Sequence, residues 1–300
     1  MTKFYQYDDS IKTFSSGNTQ FPALVSKPSG DLVICLHGFP DNLYSFREQL
    51  VTLSNAGYTV VCPALPGYAV GNRLPQGYDM DAVSDALIGM IEVIRQHYGQ
   101  AKPVHLVGHD WGAISGFACV SKAPAMFRSF TSLTIPYNLS LKRVLSHSLS
   151  YLPASWYIQL FQLRGISEAI IRSQQGKFID LLYRLWSPHW QVPAAHLAGV
   201  KRTLFDQQTL TEVLGYYRAI YGLSPAAIKG RQLLNAEIHT PTMLIKSEND
   251  GCIHSSLWNS LDTSSFHQEV ALHTLNCGHF PQMERPEAVS ELLLAWLKRY

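Results

Sequence analysis

The chain has 300 residues, 46% of them hydrophobic and 15% charged, and 24 Lys and Arg against 22 Asp and Glu leave a formal net charge of +2. That length suits one large domain or a domain carrying an insertion, and the near-neutral charge excludes an electrostatic case for nucleic acid or an anionic membrane as partner. No apolar run approaches the ~20 residues of a membrane span, the polar start MTKFYQYDDSIKTF lacks a signal-peptide core, and the five scattered cysteines (Cys35, Cys62, Cys119, Cys252 and Cys277) suit a reducing compartment, so the expected location is cytoplasmic.

The first half alternates short apolar runs with helix-type runs. LVICL (32–36) ends at HGFPDN, YTVVCPAL (58–65) ends at PGY, and PVHLVG (103–108) ends at HDWG. SFTSLTIP (129–136) is the fourth such run. Between the second and third lies MDAVSDALIGMIEVIRQHYG (80–99), where Ala82, Leu87, Ile91 and Ile94 recur near helical period. Apolar strands separated by helices predict a parallel sheet with helices on both faces, an α/β fold. From about 137 to 236 the pattern changes to aromatic, helix-rich sequence such as SWYIQLFQL, FIDLLYRLWSPHW and LTEVLGYYRAIYGL. Strand-like runs resume at TPTMLIKS (240–247) and QEVALHTL (268–275), and Pro286 suits the first turn of a closing helix over RPEAVSELLLAWLKRY. The expected organisation is therefore a core of 1–136 and 237–300 with a helical cap, 137–236, inserted over the site. In doubly wound sheets that site lies beyond the carboxyl ends of the strands.

The chemistry concentrates where strands end. GHDWG (108–112) has the form of a nucleophile turn, Gly-x-nucleophile-x-Gly, with Asp110 where serine is usual. Small residues at 108 and 112 let strand and helix approach, and the helix N-terminus favours a carboxylate. Taken alone, Asp110 reads equally as a helix cap. Asp250 in ENDG and His279 in NCGHFPQMERP each follow a later strand, in the order nucleophile, acid, histidine. The loop HGFPDN stands where one oxyanion-hole N–H is taken, so the expected donors are the backbone N–H groups of Phe39 and Trp111. Pro40 makes a cis bond possible there. His37 and His109 are assigned no chemistry. The histidines show no metal-ligand spacing, so no metal is expected, and no cofactor is implied. With no secretory signal expected, the Asn138 glycosylation triplet reads as a chance match. A homo-oligomer is compatible with the sequence but has no signature in it.

Aspartate changes the reaction. It is ionised near neutral pH and attacks without a base. Against an acyl carbon it would give an anhydride; against an sp3 carbon bearing a leaving group it gives an ordinary ester. A strained epoxide oxygen and a halide are two such leaving groups. Histidine then activates water against the ester.

At this point the chain resembles epoxide hydrolases of the α/β-hydrolase type, whose close relatives are haloalkane and haloacid dehalogenases. The resemblance spans HGFPDN, PALPGY, GHDWG, the helical insertion, the loop of Asp250 and GHFPQMERPE. It implies conversion of an apolar organic epoxide and water to a vicinal diol through an alkyl ester on Asp110, which water activated by His279 hydrolyses. It also implies two cap tyrosines that polarise the epoxide oxygen, matching Tyr157 in WYIQLFQ and Tyr217 in LGYYRAIYG. Tyr151, Tyr183, Tyr216 and Tyr221 are nearby competitors. Trp111, Phe39 and Trp156 are the expected substrate contacts, and Arg218 a structural partner within the cap. Two departures stand out: GYAVGN replaces the family's G-x-G-x-S stretch, and the turn ends Gly112-Ala113 rather than in two glycines.

Two other readings remain. Haloalkane dehalogenases hold halide with a tryptophan in the position of Trp111, but their second donor is often an Asn where Phe39 stands; Trp156, Trp186 and Trp190 keep a cap tryptophan open. Fluoroacetate-type enzymes place arginine where Trp111 and Ile114 stand. A non-catalytic ligand receptor of this fold is the third reading, against which the intact Asp110, Asp250 and His279 set argues.

Overall fold

The computed structural model describes residues 10–99, 101, 103–137, 156–206, 208–259 and 261–300. Eight strands form one sheet in the order β1-β2-β4-β3-β5-β6-β7-β8. β3 (Leu32–Leu36), β4 (Thr59–Pro63), β5 (Val104–His109), β6 (Phe127–Leu133), β7 (Thr242–Ser247) and β8 (Val270–Leu275) are the six apolar runs of the sequence, and they pair with one another in parallel.

The other two strands were not anticipated. β1 (Ile11–Ser16) and β2 (Thr19–Val25) form an antiparallel hairpin that joins β4. IKTFSS buries only Phe14, so it carries almost no apolar signal. It is ordered by pairing with β2 across the two-residue turn at Gly17, whose φ of 57° glycine adopts without strain.

Period two divides the strand side chains between two layers. Ile34, Leu36 and Leu106 pack toward α2 (Met80–His97) and α3 (Trp111–Lys122), with Leu87, Ile91, Phe117 and Val120. Val33, Cys35, Val60 and Val107 pack the other way, against Leu50 and Leu53 of α1 (Arg47–Asn55) and the Val289, Leu293 and Trp296 side chains of the closing helix Pro286–Leu297. Asp79 caps α2 by accepting from the Ala82 N–H, which sets the helix start where the apolar period begins.

Between β6 and β7 the described residues are helical: 156–162 (α4), Ile166–Arg172 (α5), Lys177–Trp186 (α6), Ala194–Phe205 (α7), Thr209–Ala219 (α8) and Pro225–Leu233 (α9). Residues 138–155, with Asn138 and Tyr151, lie outside the described residues. The β6 run ends earlier than the sequence suggests, because Thr134 takes φ 66° and turns the chain off the sheet. No helix among the described residues is long and apolar enough to cross a membrane.

Phe130 of β6 is fully buried, meets Phe117 edge-on at 4.9 Å and closes over Gly116, leaving no space for a side chain there. Phe130→Ala should cost about 3–5 kcal/mol in denaturant unfolding. A loss below about 1 kcal/mol would show that this layer repacks freely.

Candidate active site

The turn after β5 positions the first carboxylate. A Cβ on Gly108 would lie 2.5 Å from the Gly112 carbonyl, and one on Gly112 would meet the Leu36 carbonyl of β3. Strand and helix can therefore touch only because both positions are glycine. The bend between them leaves Asp110 at φ 49°, ψ −120°, a strained backbone for a residue with a side chain. Asp110 makes no side-chain cap bond to α3, so the helix-cap reading does not hold. Its carboxylate faces the opposing loop instead: the Phe39 N–H donates to Oδ1 at 2.8 Å. Trp111 is the first residue of α3, where the backbone N–H has no intrahelical acceptor. The Phe39–Pro40 bond is cis.

Asp250 and His279 arrive from the ends of β7 and β8. His279 Nδ1 lies 2.9 Å from Asp250 Oδ2 and 3.1 Å from Oδ1, and Nε2 faces Asp110 Oδ2 at 3.7 Å. Asp250 is itself fixed by the Cys252 and Ile253 N–H groups, which donate to Oδ1. Burial works against a charged imidazole, but Asp250 foremost, with Cys252 and Asp110 behind it, holds His279 protonated well above the usual histidine range. His37 and His109 go the other way. Burial lowers each to about 4, and both are spent on structure. His37 Nε2 accepts from the Leu65 N–H, while His109 Nε2 reaches the His279 carbonyl at 2.7 Å.

The inserted helices hold these loops in place. The Trp186 carbonyl at the end of α6 accepts from both Gly251 N–H and His279 N–H. The adjoining Ser187 hydroxyl also accepts from His279 N–H and donates to Glu284, whose carboxylate takes the Gly278 and Phe280 N–H groups. Glu284 stands in the GHFPQMERPE motif, yet nothing in its spacing marked it as the clamp of the histidine loop.

A cavity of about 270 Å3 opens in front of Asp110, walled mostly by apolar side chains of α3, α4, α8 and α9. Asp110, Trp111, Tyr157 and Tyr217 all line it. The two tyrosine rings lie 5.9 Å apart, centroid to centroid. Burial first, then Asp110, raises Tyr217 well above the ordinary phenol value, so it stays a neutral donor, and the Trp111 ring packs edge-on against it at 5.1 Å. The Tyr157 hydroxyl contacts Cys252 Sγ at 3.3 Å. Cys252, another wall residue, was missed because a lone cysteine carries no spacing signal.

Other expected residues sit elsewhere. Phe39 contributes its N–H, but its ring is fully buried behind Tyr217, Phe161 and Trp186 and is not part of the cavity wall. Trp156 is also absent from that wall: its ring is 41% exposed and packs on Phe178. At the start of α4 it faces outward one residue before Tyr157 faces in, as helical geometry requires of neighbours. Tyr216 and Tyr221 also line the cavity, but Tyr216 donates to the Pro66 carbonyl and the 43% exposed Tyr221 accepts from Gln159, while Tyr183 stacks on Phe280 beside His196. Arg218 ties α8 to Glu168 and the Phe161 carbonyl. The Asp110 and Cys252 donor atoms lie with those of His279 within 4.8 Å of one another, close enough to hold an ion.

Residues 31–286 match the alpha/beta hydrolase fold family, and the chain belongs to it. It is 25% identical over 291 residues to the AB hydrolase superfamily protein YfhM of Bacillus subtilis, covering 95% of this chain and 96% of that protein. It is 28% identical over 283 residues to Epoxide hydrolase 3 of Xenopus tropicalis, covering 90% of this chain and 73% of that one. Among solved structures, an epoxide hydrolase from an endophytic Streptomyces shares the fold with a TM-score of 0.80 at 22% identity, covering 96% of this chain and 95% of that one.

A second buried pair joins core and insertion. Asp41, fully buried in the HGFPDN loop, meets His196 Nε2 of α7 at 3.3 Å. Burial raises its pKa, but His196, the Ser45 hydroxyl and His37 outweigh that and pull the carboxyl down to about 2. A folded value below the unfolded one contributes stability above pH ~4 that is lost as pH falls toward 2. Unfolding free energy of the wild type should therefore drop across that window by roughly 2 kcal/mol more than that of Asp41→Asn. Parallel pH curves for the two proteins would remove this role from Asp41.

Proposed function

We propose that the chain is an epoxide hydrolase acting on an apolar organic epoxide, with residues 137–236 serving as a cap over the core formed by 1–136 and 237–300. The observation that carries this reading is the pair of cap phenols, Tyr157 and Tyr217, lining one cavity with the Asp110 carboxylate. An epoxide needs an oxygen-directed donor on the face opposite the attacking carboxylate, and the two phenol hydroxyls supply it.

Asp110 Oδ1 accepts the Phe39 N–H, so Oδ2, on the His279 side, is the attacking oxygen. In the proposed reaction Oδ2 attacks an epoxide carbon, the C–O bond opens, and the leaving oxygen takes a hydrogen bond and then a proton from a cap tyrosine. The product is an ester whose carbonyl oxygen, Oδ1, already sits at the Phe39 N–H. Alkylation also removes the Asp110 charge, one of the groups that hold a proton on His279. His279 returns that proton to the tyrosine, and its freed Nε2 takes one from water as the water attacks the ester carbonyl carbon. The oxyanion develops where Phe39 and Trp111 present their N–H groups. On collapse the alkyl oxygen leaves and takes the remaining proton of the attacking water, which releases the diol and restores the Asp110 carboxylate, while Asp250 stabilises the imidazolium.

The same turn could displace halide. Against that, the Trp111 ring packs edge-on against Tyr217, and the cavity offers a pair of phenols where a halide site needs weak N–H donors. A receptor role would leave the strain at Asp110 and its alignment with His279 unused.

Asp110→Asn should abolish diol formation from a styrene-oxide-like epoxide, while His279→Gln should alkylate and stop, adding the substrate's mass to the peptide that holds Asp110. An unmodified His279→Gln protein after incubation would defeat the two-step scheme. Tyr217→Phe should slow single-turnover alkylation at least tenfold and leave ester hydrolysis within about twofold; equal alkylation rates would transfer the role to another donor. A paired assay with 1-haloalkanes separates the rival, since halide release without diol from epoxides reverses the assignment.

A further inference from the structure

Away from the cavity, two extended segments lead into β7 and β8 and lie side by side. Ile238 pairs in parallel with Phe266, the Ile238 N–H donates to the Ser265 carbonyl at 2.8 Å, and the His267 N–H donates to the Ile238 carbonyl at 2.9 Å. Ile238 is fully buried, so its neighbours Glu237 and His239 share the opposite, outward face. His267 joins them across the bridge. Glu237 Oε2 lies 3.3 Å from His267 Nε2 and 3.6 Å from His239 Nε2. The imidazoles stack 4.6 Å apart and nearly parallel, at 10°. All three donor atoms fall within 4.8 Å of one another.

We infer that Glu237, His239 and His267 form a surface site for a borderline divalent transition metal such as zinc or nickel. Two imidazoles and one carboxylate are the donor set such ions select, and hard calcium or magnesium would not. Metal–ligand bonds of about 2.0–2.2 Å place neighbouring donors of a tetrahedral ion roughly 3.3 Å apart. The Glu237–His267 separation already has that value, and the Glu237–His239 separation exceeds it by a few tenths of an ångström. Both rings are about half exposed, at 52% and 44%, so they can rotate to converge their lone pairs, and solvent fills the remaining positions.

The backbone fixes what the ion would do. Glu237 follows Ala236, whose carbonyl accepts from the Tyr137 hydroxyl, and the Tyr137 ring packs on Phe117 and Phe266. Residues 137 and 236 are the two ends of the insertion, so the site lies where the cap chain returns to the sheet. It is at the amino ends of β7 and β8, whereas Asp250 and His279 follow the carboxyl ends. A bound ion would tie the return segment to the segment leading into β8 and stabilise the folded state by mass action, with no part in the chemistry.

Titration calorimetry of the tag-free full chain with zinc chloride or nickel chloride tests this. The expected result is one ion per chain, with Kd in the micromolar range and a rise in Tm at saturating metal. His239→Ala and His267→Ala should each weaken the binding at least tenfold, Glu237→Gln less, and the distant His189→Ala not at all. Magnesium should produce neither heat nor Tm shift. Absence of one-to-one binding below 1 mM overturns the inference. So does unchanged affinity in a folded His239→Ala or His267→Ala protein, which would move the ion elsewhere, Asp110, Cys252 and His279 included. Diol formation by His239→Ala without metal should match the wild type; a tenfold loss would contradict a site outside the chemistry.

Discussion

The structure depends on one contact: β5 and α3 meet at Gly108 and Gly112, with no room for a side chain at either. That contact forces the connecting residue into a strained backbone and turns Asp110 away from the helix it begins. The sheet around it is a rigid frame, because β3 and β6 flank β5 and their side chains are buried on both faces. Strain of this kind persists only where the surroundings over-determine it. Here the close-packed strands β3 and β5, the Phe39 N–H on Oδ1 and the helix start at Trp111 all specify one position for the carboxylate.

The second constraint is that the inserted helices and the sheet complete one another. The Trp186 carbonyl at the end of α6 receives N–H groups from the loops of both Asp250 and His279. Ser187 and Glu284 extend that clamp, and Asp41 with His196 ties the HGFPDN loop to α7. Buried polar groups are costly unless partnered. Placing these partners on different segments therefore couples the position of the insertion to the geometry of the site. In the proposed reaction this coupling matters twice, since Tyr157 and Tyr217 ride on the insertion while the nucleophile rides on the sheet.

Much of this is legible in the sequence. The six apolar runs became the six parallel strands, because a strand buried on both faces must be continuously apolar. The helical period over 80–99 marked α2, and Pro286 marked the closing helix. The hairpin β1–β2 was not legible, since an edge strand that buries one side chain has no such signature. Trp156 and the Phe39 ring were misplaced for a related reason. Motif position along a helix or loop does not say which neighbour faces the cavity, and one residue of rotation moved Trp156 outward while Tyr157 turned in.

The sequence alone determined the architecture, the carboxylate in the nucleophile turn, and the chain order of Asp110, Asp250 and His279. These are local matters of hydrophobic period, turn chemistry and residue type. The tertiary structure decided which side chains share a space. It brought Tyr157 and Tyr217 to one cavity, packed the Trp111 ring edge-on against Tyr217, buried Asp41 against His196, and gathered Glu237, His239 and His267 from segments 28 residues apart. The physical reason is that burial and proximity between distant segments are set by packing of the whole sheet and its helices, and packing is not written in any single stretch of the chain.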